Sequence, residues 1–434
     1  MALGGGTYLT QNKVLPGAYF QFISKAIASA TLSDRGVAAM ALELDWGADD
    51  KVIGVTASDF MKDSKKIFGF DYDAAEMLSL RELFKHASKV YVYKVTSGGV
   101  KASNTFAEAK YTGKKGNDLK VVIQTNVDDG EKFDVLLYLG TEKMDSQTVS
   151  KASELIDNDF VVWKKSAELS VTAATALSGG TNGTASTSNH QAFLDKISSY
   201  PDVNAIGYAG SESAVKGLYA AFADRLRNDV GIRLQVVMHD YSSADSISCV
   251  NVKNSAELVY WATGVIAGTA VNKSATNMKY DGELSINTEF TQDELTEALE
   301  KGEWVLHQVG TEDHVLEDIN SFTSITDEMG DIFKDNQTIR VIDTRADSIA
   351  SIFASKYLGK VPNDKSGRVS LWSDIVKIDQ QLSDINAIED FDPEDITVEQ
   401  GDTKKSVLIN SAITIINTME KLYMKSMIEY SSVF

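Results

Sequence analysis

Three residues whose types suit nucleophilic catalysis follow two apolar stretches in the middle of the chain. Ser211 comes shortly after Val203–Tyr208, and His239 and Asp240 directly follow Leu234–Met238. Open α/β sheets bind ligands at the carboxyl ends of their strands, so all three side chains could share one rim. The chemistry would be that of a hydrolase, in which a histidine base activates a serine hydroxyl.

A structural interpretation of the same residues is stronger. Ser211 stands where a predicted helix begins, and serine is favoured there because its hydroxyl caps free N–H groups. No G-x-S-x-G nucleophile elbow surrounds it. His239 and Asp240 are adjacent, so they cannot both reach triad positions without unusual geometry. The sequence therefore predicts no catalytic residues.

The other candidate ligand sites are weaker still. His307 and His314 lie on opposite arms of a predicted hairpin, with Glu312 and Asp313 between them. Exposed positions in a turn explain these polar residues without a metal. No H-E-x-x-H motif or cysteine cluster supports a metal site, and Gly4–Gly6 precedes every predicted strand, which is not the context of a phosphate-binding loop. We expect no metal and no cofactor.

Helices and strands alternate in the segments that would position these residues, which indicates a sheet with helices packed on it. Thr291 and Glu294 form a capping box ahead of one short helix. The other predicted helices are Ser58–Phe68, Tyr72–Ala87, Asn189–Ser199, Ser211–Asn228 and Ser255–Val271. The predicted strands are Gly36–Leu44, Lys51–Thr56, Lys89–Val95, Val203–Tyr208 and Leu234–Met238, followed by a hairpin of Trp304–Val309 and His314–Ile319.

A β-rich segment interrupts this alternation. Leu119–Thr125 and Phe133–Leu139 flank the turn residues Asp128–Gly130, which is a hairpin signature, and Phe160–Lys164 is a further strand. The pattern predicts a small β-sandwich inserted into a larger domain.

The last hundred residues contain two long predicted helices and then β-prone segments. Apolar residues at helical spacing mark the face of each helix that packs on the core: Ile349, Ile352, Phe353 and Tyr357 in the first, and Leu371, Ile375, Ile378, Leu382 and Ile385 in the second. An acidic connection, Asn386–Asp402, leads to strands predicted at Val407–Ile415 and Lys421–Tyr430.

Composition excludes several classes of function. The net charge of −20 argues against binding nucleic acid or an anionic membrane through bulk electrostatics. No apolar run reaches the length of a membrane-spanning helix, and no signal peptide is visible, so we expect synthesis in a bacterial cytoplasm. The single cysteine, Cys249, excludes intrachain disulfides.

The first two dozen residues contain too few apolar groups to order themselves. Lys13 is the only charged side chain in Met1–Ser24, Pro16–Gly17 is a turn signal, and Ala18–Ile23 is β-prone. Such a terminus frays unless it is tied down. We expect another copy of the protein to hold it.

One segment reverses the acidic balance of the chain. Three acids accompany six basic residues: Arg340, Arg345, Lys356, Lys360, Lys365 and Arg368. A solvated helix face is the simplest interpretation, but a basic patch on an acidic protein could also dock an acidic protein partner.

Several stretches together resemble one family, the contractile tail sheath proteins of phages and phage-tail-like particles of Gram-positive bacteria. The similar stretches are GGGTYLTQNKVLPGAYFQF at the start, LSGGTNG before the α/β segment, WATGVIAGTAVNKSATNMKYDGE, VLEDINSFTSIT and IRVIDTRADSIASIFASKYLGKVPNDKSGR. They span nearly the whole chain in the family's order, and the inserted β-domain is the least diagnostic part.

The resemblance implies a multidomain α/β (α+β) fold. A conserved α/β core, with a subtilisin-like part and a C-terminal part, carries a peripheral β-sandwich and strand-donating arms at both ends. The expected divisions are an arm at 1–24, core at 25–96, sandwich at 97–180, subtilisin-like core at 181–330 and a C-terminal domain with its arm at 331–434. The arm residues expected to contact neighbours are Thr7, Tyr8, Leu9, Tyr19, Phe20, Phe22, Leu422, Met424, Ile428 and Tyr430.

The resemblance also implies a mechanical role. Family members form hexameric rings stacked helically around an inner tail tube in a virion tail or tail-like particle, with baseplate and tail-terminator proteins as further partners. For this chain we expect no nucleic-acid partner and no direct membrane insertion. By analogy, the basic residues between Arg340 and Arg368 are the candidate surface facing the tube.

Two alternatives stay open at this point. An α/β hydrolase-like enzyme would use Ser211 and His239. Another β-augmenting assembly, such as a surface-layer or pilus-like protein, would also use β-prone termini, although such proteins carry export signals.

Overall fold

The computed structural model of the chain describes residues 35–241 and 243–428. The predicted N-terminal arm, with Thr7, Tyr8, Leu9, Tyr19, Phe20 and Phe22, lies outside this range, as does Tyr430. The strands of the described part are β1 (Val37–Leu42), β2 (Val52–Thr56), β3 (Lys89–Lys94), β4 (Lys101–Ser103), β5 (Ala107–Thr112), β6 (Leu119–Thr125), β7 (Phe133–Leu139), β8 (Glu142–Val149), β9 (Val161–Trp163), β10 (Thr172–Ala176), β11 (Ala205–Tyr208), β12 (Gln235–His239), β13 (Cys249–Val252), β14 (Glu303–Trp304), β15 (Leu306–Val309), β16 (Glu312–Val315), β17 (Thr397–Gln400) and β18 (Val407–Asn410). The α-helices are α1 (Ala57–Phe68), α2 (Leu78–Phe84), α3 (Thr187–Ile197), α4 (Ser213–Arg225), α5 (Leu258–Gly268), α6 (Gln292–Glu300), α7 (Asn336–Ile352) and α8 (Lys365–Asp384).

A seven-stranded sheet in the order β14-β13-β12-β11-β1-β3-β2 forms the centre of the molecule. All neighbours run parallel except β2, which is antiparallel to β3. Apolar side chains of α1, α2 and α5 pack on one face, and those of α3 and α4 pack on the other. Because β1 pairs with both β3 and β11, the segments before and after the β-sandwich build one α/β sheet.

Helix α5 lies in the core because its sequence is apolar on nearly all sides. Nine of its eleven residues are buried, Trp261 among them. A Cβ at Gly264 would lie 2.4 Å from the carbonyl oxygen of Leu83, and a Cβ at Gly268 would lie 2.1 Å from that of His86. The two glycines therefore let α5 approach α2 and the turn after it. None of the helices in the described part is long and apolar enough to cross a membrane.

The inserted segment forms the predicted β-sandwich. One sheet has the order β10-β6-β7-β8, the other has the order β4-β5-β9, and the predicted hairpin is the β6–β7 pair. The loop after β1 contributes Trp46 to the sandwich core, where its ring packs edge-on against Tyr111 at 5.2 Å. The indole Nε1–H donates to the carbonyl of Lys66 at 3.3 Å, which ties the sandwich to α1.

The C-terminal lobe consists of α7, α8 and the β17–β18 hairpin. The predicted apolar faces of the two helices meet, because Ile352, Tyr357, Leu371, Ile375 and Ile378 share one cluster. Phe353 is also predicted on this face, but the structure leaves its side chain 36% exposed. The predicted capping box of α6 is also confirmed, since Thr291 and Glu294 cap each other's backbone.

The structure corrects several local predictions. The helix predicted at Tyr72–Ala87 is shorter, with a 3₁₀ turn at Ala75–Met77 followed by α2. The pattern gave no sign of β13 or β17, since β13 is only four residues long and β17 (TVEQ) is mostly polar and becomes a strand by pairing with β18. Residues 421–428 form no strand, because an alternating sequence needs a partner strand and none of the strands in the described ranges pairs with them.

Candidate assembly surfaces

The serine and the histidine that suggested catalysis do not line the same cavity. Ser211 lines a cavity of about 460 Å³ at the carboxyl ends of β1 and β11, together with Glu43, Tyr208 and Glu212. His239 is not among the residues lining this cavity. The helix-cap prediction for Ser211 is wrong, because α4 begins at Ser213 and its N-cap is Glu212.

A different histidine lies beside this cavity and has a structural role. His190 is 7% exposed, and its Nδ1 lies 2.9 Å from the hydroxyl of Tyr219. Its ring packs edge-on against Tyr208 at 5.2 Å. Burial lowers the pKa of His190, so the imidazole is neutral at pH 7 and packs as a core residue.

The two hairpin histidines face each other without forming a metal site. His307 pairs with His314 across β15 and β16. The Nδ1 of His314 lies 2.9 Å from the carbonyl oxygen of Asn277, and burial lowers the pKa of His307. Within residues 35–241 and 243–428, no three histidine, cysteine or acidic side chains are grouped to hold a metal.

The basic residues between 340 and 368 do not form one surface patch. Arg340 is 1% exposed, and its guanidinium bonds the carboxylate of Asp318 at 2.6 Å and the carbonyl of Lys273 at 2.7 Å. Burial opposes ionisation of Asp318, but the Arg340 charge keeps the pKa of this carboxyl below its usual value. Arg340 therefore joins the C-terminal lobe to the α/β core and cannot face a partner.

Two more of these cations lie within the C-terminal lobe. Arg345 makes a bidentate pair with the buried Asp379, at 2.6 and 2.9 Å. Lys356 lies 2.6 Å from the carboxylate of Asp374, and that hydrogen bond raises the pKa of the lysine. Both positive charges are therefore largely compensated inside the chain.

The remaining cations gather at one end of the lobe. Lys360 and Lys365 are exposed, and Arg368 is half-buried with its guanidinium on the Asn363 side chain at 3.0 Å. The amide of Asn363 also bonds the carbonyls of Lys404 and Ser406, which brings the β17–β18 turn beside them. We call this set the basic tip, and its residues are Lys360, Lys365, Arg368, Lys404 and Lys405.

A small apolar groove opens at the basic tip. It measures about 110 Å³ and is lined by Phe353, Leu358 and Pro362, with Lys405 and Arg368 at its side. The Leu358 side chain is 62% exposed. The sequence pattern does not reveal Lys404 and Lys405 as members of this set, because only the fold brings their turn to the start of α8.

The C-terminal segment is the most exposed apolar stretch of the described residues. Leu422, Met424 and Ile428, the three predicted arm residues placed here, are 89%, 81% and 92% exposed. The residues that share this exposure are Met419, Tyr423 and Met427. Single exposed apolar residues are ordinary, but a contiguous run of this kind marks an interaction segment.

The β17–β18 hairpin has two open edges. Thr397–Gln400 pairs with Val407–Asn410, and in the described ranges neither strand pairs with a third. Ile396, Val398 and Ile409 pack on the helices of the lobe, so the hairpin is held in place. Unpaired strand edges with their free N–H and C=O groups are templates for another strand.

Comparison with known families identifies the architecture. Four family descriptions match in chain order: the tail sheath protein Gp18 domain III N-terminal region at 35–95, the phage tail sheath β-sandwich domain at 97–182, the phage tail sheath central domain at 183–321 and the phage tail sheath C-terminal domain at 328–429.

Individual proteins agree with these matches over almost the whole chain. The chain is 31% identical to the uncharacterized protein YqbK and 30% identical to the phage-like element PBSX protein XkdK, both of Bacillus subtilis, over 97% of this chain and 99% of each relative. A sheath tail protein of Desulfitobacterium hafniense superposes with a TM-score of 0.82 at 31% identity, over 93% of this chain and 98% of that one. The contracted helical sheath of the anti-feeding prophage shares the fold, with a TM-score of 0.57 at 11% identity over 96% of this chain and 99% of that one. The chain belongs to the phage tail sheath protein family.

Proposed function

We propose that this chain polymerises as stacked hexameric rings around an inner tail tube and contracts to drive the tube through a target cell envelope. The observation that carries the proposal is that one sheath-family chain has both an exposed apolar terminal segment and a hairpin whose strand edges are open. The ring, the tube, and the baseplate and terminator partners follow from the family resemblance. A baseplate assembly and a helical sheath of the anti-feeding prophage share the fold.

The subunits would be linked by strand addition. Residues 421–428 extended as a strand reach about 26 Å, at roughly 3.3 Å per residue, which is enough to leave one lobe and lie along a neighbour's hairpin. Main-chain hydrogen bonds would supply the linkage, and alternate apolar side chains would enter pockets. Such arms keep subunits connected while rigid cores shift between two arrangements.

Negative-stain electron microscopy of the purified chain tests this assembly directly. We expect hollow tubes or stacked rings. Uniform small particles at every salt and protein concentration tried would contradict the proposal.

The enzyme alternative finds no support in the cavity beside Ser211. A hydrolase would need Ser211 and His239 in one site, and His239 does not line that cavity. The families that match the chain are structural tail sheath proteins. The tail sheath families that match the chain also favour the sheath over a surface-layer or pilus-like protein.

We place the tube contact at the basic tip. Lys360 and Lys365 are exposed, and Arg368 and Lys405 of the same tip line an apolar groove. The chain as a whole has a net charge of −20. An acidic surface on the tube would be steered to this tip and held weakly, which suits a contact that must break during contraction. Charge reversal at Arg345 would instead place a like charge beside Asp379, and charge reversal at Lys356 would place one beside Asp374.

The double substitution K360E/K365E is expected to slow association with preformed tail tubes about tenfold at low salt, because it reverses the steering charge. Co-sedimentation of the variant with tubes after a series of short mixing times measures this rate. The control is K62E/K151E, which makes the same charge change at exposed lysines of α1 and the sandwich. Equal tube binding by both variants would remove the basic tip from the tube contact.

A further inference from the structure

The cavity beside Ser211 lies where the winding of the central sheet changes direction. β1 and β11 are parallel neighbours. Between β1 and β3 the chain crosses one face of the sheet through α1 and α2, whereas between β11 and β12 it crosses the other face through α4. The two connections part at the carboxyl ends of β1 and β11, and open α/β sheets bind ligands in the crevice that such a divergence leaves. The volume of about 460 Å³ is in the range of pockets for small organic molecules.

The deep part of this cavity is apolar. The buried side chains that line it there are Met40, Leu42, Met77, Leu80 and Val95. The ring of Tyr260, from α5, lines it as well. A surface of this kind favours contact with methylene groups over contact with water.

Three carboxylates from three separate segments border the same cavity. Glu43 follows β1, Glu76 lies in the 3₁₀ turn before α2, and Glu212 is the N-cap residue of α4. Within the described ranges none of these side chains forms a salt bridge or a hydrogen bond, and Glu212 does not cap its own helix. The described residues that line the cavity include no lysine or arginine. The cavity therefore carries uncompensated negative charge, which attracts a cation.

Two buried polar side chains also line the cavity. His190 and Tyr208 are each 7% exposed. The Nδ1 of His190 is occupied by the Tyr219 hydroxyl, whereas its Nε2 has no hydrogen-bond partner among the described residues. Burial, and then the charges of Glu212 and Glu43, raise the pKa of Tyr208, so its hydroxyl keeps its proton. A buried ring nitrogen left without a partner is costly, which points to a group from outside the chain.

The spacing of the carboxylates determines which cation fits. Within the part of the chain that the structure describes, no three acidic, histidine or cysteine side chains are grouped closely enough to hold one metal ion. A compact ion therefore cannot pair with all three glutamates, whereas an extended cation can. Its ammonium groups would reach the separate carboxylates, and the methylene groups between them would lie on the apolar side chains.

We propose that this cavity binds a linear aliphatic polyamine, with its ammonium groups on Glu43, Glu76 and Glu212. Nε2 of His190 and the hydroxyl of Tyr208 supply further hydrogen-bonding groups in the wall. The site belongs to the α/β core of a single chain. It goes beyond the proposed function and needs no neighbouring subunit, so it can be tested whether or not the chain polymerises.

Equilibrium dialysis of the full chain against spermidine at low salt tests the site. Spermidine carries three ammonium groups at neutral pH, and we expect saturable binding of one molecule per chain. Butylamine, which carries one ammonium group, should bind at least tenfold more weakly, because it can pair with only one carboxylate at a time. Magnesium chloride at the same concentration should not displace spermidine.

Two variants should lose this binding. E43Q/E212Q keeps the shape of the cavity, removes two of its charges and should weaken spermidine binding at least tenfold. S211W leaves the charge unchanged and places a bulky ring at an exposed position of the lining, so it should weaken binding to a similar degree. The matched control is E131Q/E168Q, which removes two charges at exposed positions of the sandwich and should retain the wild-type affinity. Circular dichroism checks that each variant is folded.

Several results would overturn the proposal. The absence of saturable binding would remove the site, and equal losses in E43Q/E212Q and E131Q/E168Q would show that spermidine associates with the acidic surface as a whole. Butylamine binding as tightly as spermidine, or displacement by magnesium, would exclude a polyamine as the specific ligand. None of these outcomes bears on tube formation, which electron microscopy tests separately.

Discussion

Removal of residues 421–434 is expected to yield a folded monomer that no longer forms tubes. The described side chains in this segment are 81% to 92% exposed at Leu422, Tyr423, Met424, Met427 and Ile428, so they contribute almost nothing to the core of their own subunit. The free energy of unfolding should therefore change by less than about 0.5 kcal/mol, as for surface substitutions. Polymerisation should be lost entirely, because strand addition needs the donor strand.

Electron microscopy shows whether tubes form, and analytical ultracentrifugation shows whether the truncated chain is a monomer. A variant of full length, with Leu422, Met424 and Ile428 replaced by serine, separates the apolar contacts from chain length and should also fail to polymerise. The matched control is V127S, because Val127 is 95% exposed on the sandwich, away from the arm.

Deletion of Met1–Leu15 should give the same phenotype at the other end. Loss of the folded state on deletion would assign the segment to its own subunit's core.

Replacement of Arg340 by methionine is expected to lower the free energy of unfolding by about 3–5 kcal/mol. The side chains of Arg340 and Asp318 are 1% and 0% exposed, and their charged atoms lie 2.6 Å apart. Removing the cation leaves a buried carboxylate that keeps only neutral donors, the Ala275 N–H and the Asn336 amide. An uncompensated buried charge is far more costly than the loss of an exposed ion pair.

Urea denaturation followed by circular dichroism measures this loss. The 421–434 truncation is the appropriate background, because polymerisation would otherwise add to apparent stability. The double variant R340M/D318N should recover much of the loss, since it removes the stranded charge. K301M, which breaks the exposed pair of Lys301 with Glu297, should leave stability unchanged within error. A loss below about 1 kcal/mol in R340M would show that Asp318 is neutral or hydrated in the folded protein.

Local patterns of side chains identified most of the architecture. The alternating apolar residues of Leu119–Thr125 and Phe133–Leu139 predict a hairpin because side chains on a strand point to opposite faces. The capping box at Thr291 and the apolar faces of α7 and α8 are likewise readable, because they depend on residues three or four positions apart.

The family, too, was recognisable from stretches of sequence in a fixed order, and the matches confirm it. The predicted arm at Leu422–Ile428 remains a proposal, and its apolar side chains are exposed to solvent among the described residues. A segment that is too weak to fold alone can be recognised from composition, whereas the surface that receives it cannot. Only the structure revealed the open β17–β18 hairpin, because β17 is polar and gains its strand conformation from pairing.

The charges show most clearly what sequence determined and what tertiary structure decided. Sequence alone located six cations between Arg340 and Arg368, because a local excess of charge can be counted along a chain. The fold decided that Arg340 and Arg345 are internal, since Asp318 and Asp379, their partners, are brought to them by packing. It also decided that Lys404 joins Lys360 at the basic tip, because Asn363 ties the hairpin turn to the start of α8. Charge density is a one-dimensional property, whereas burial and pairing depend on which distant residues the fold makes neighbours.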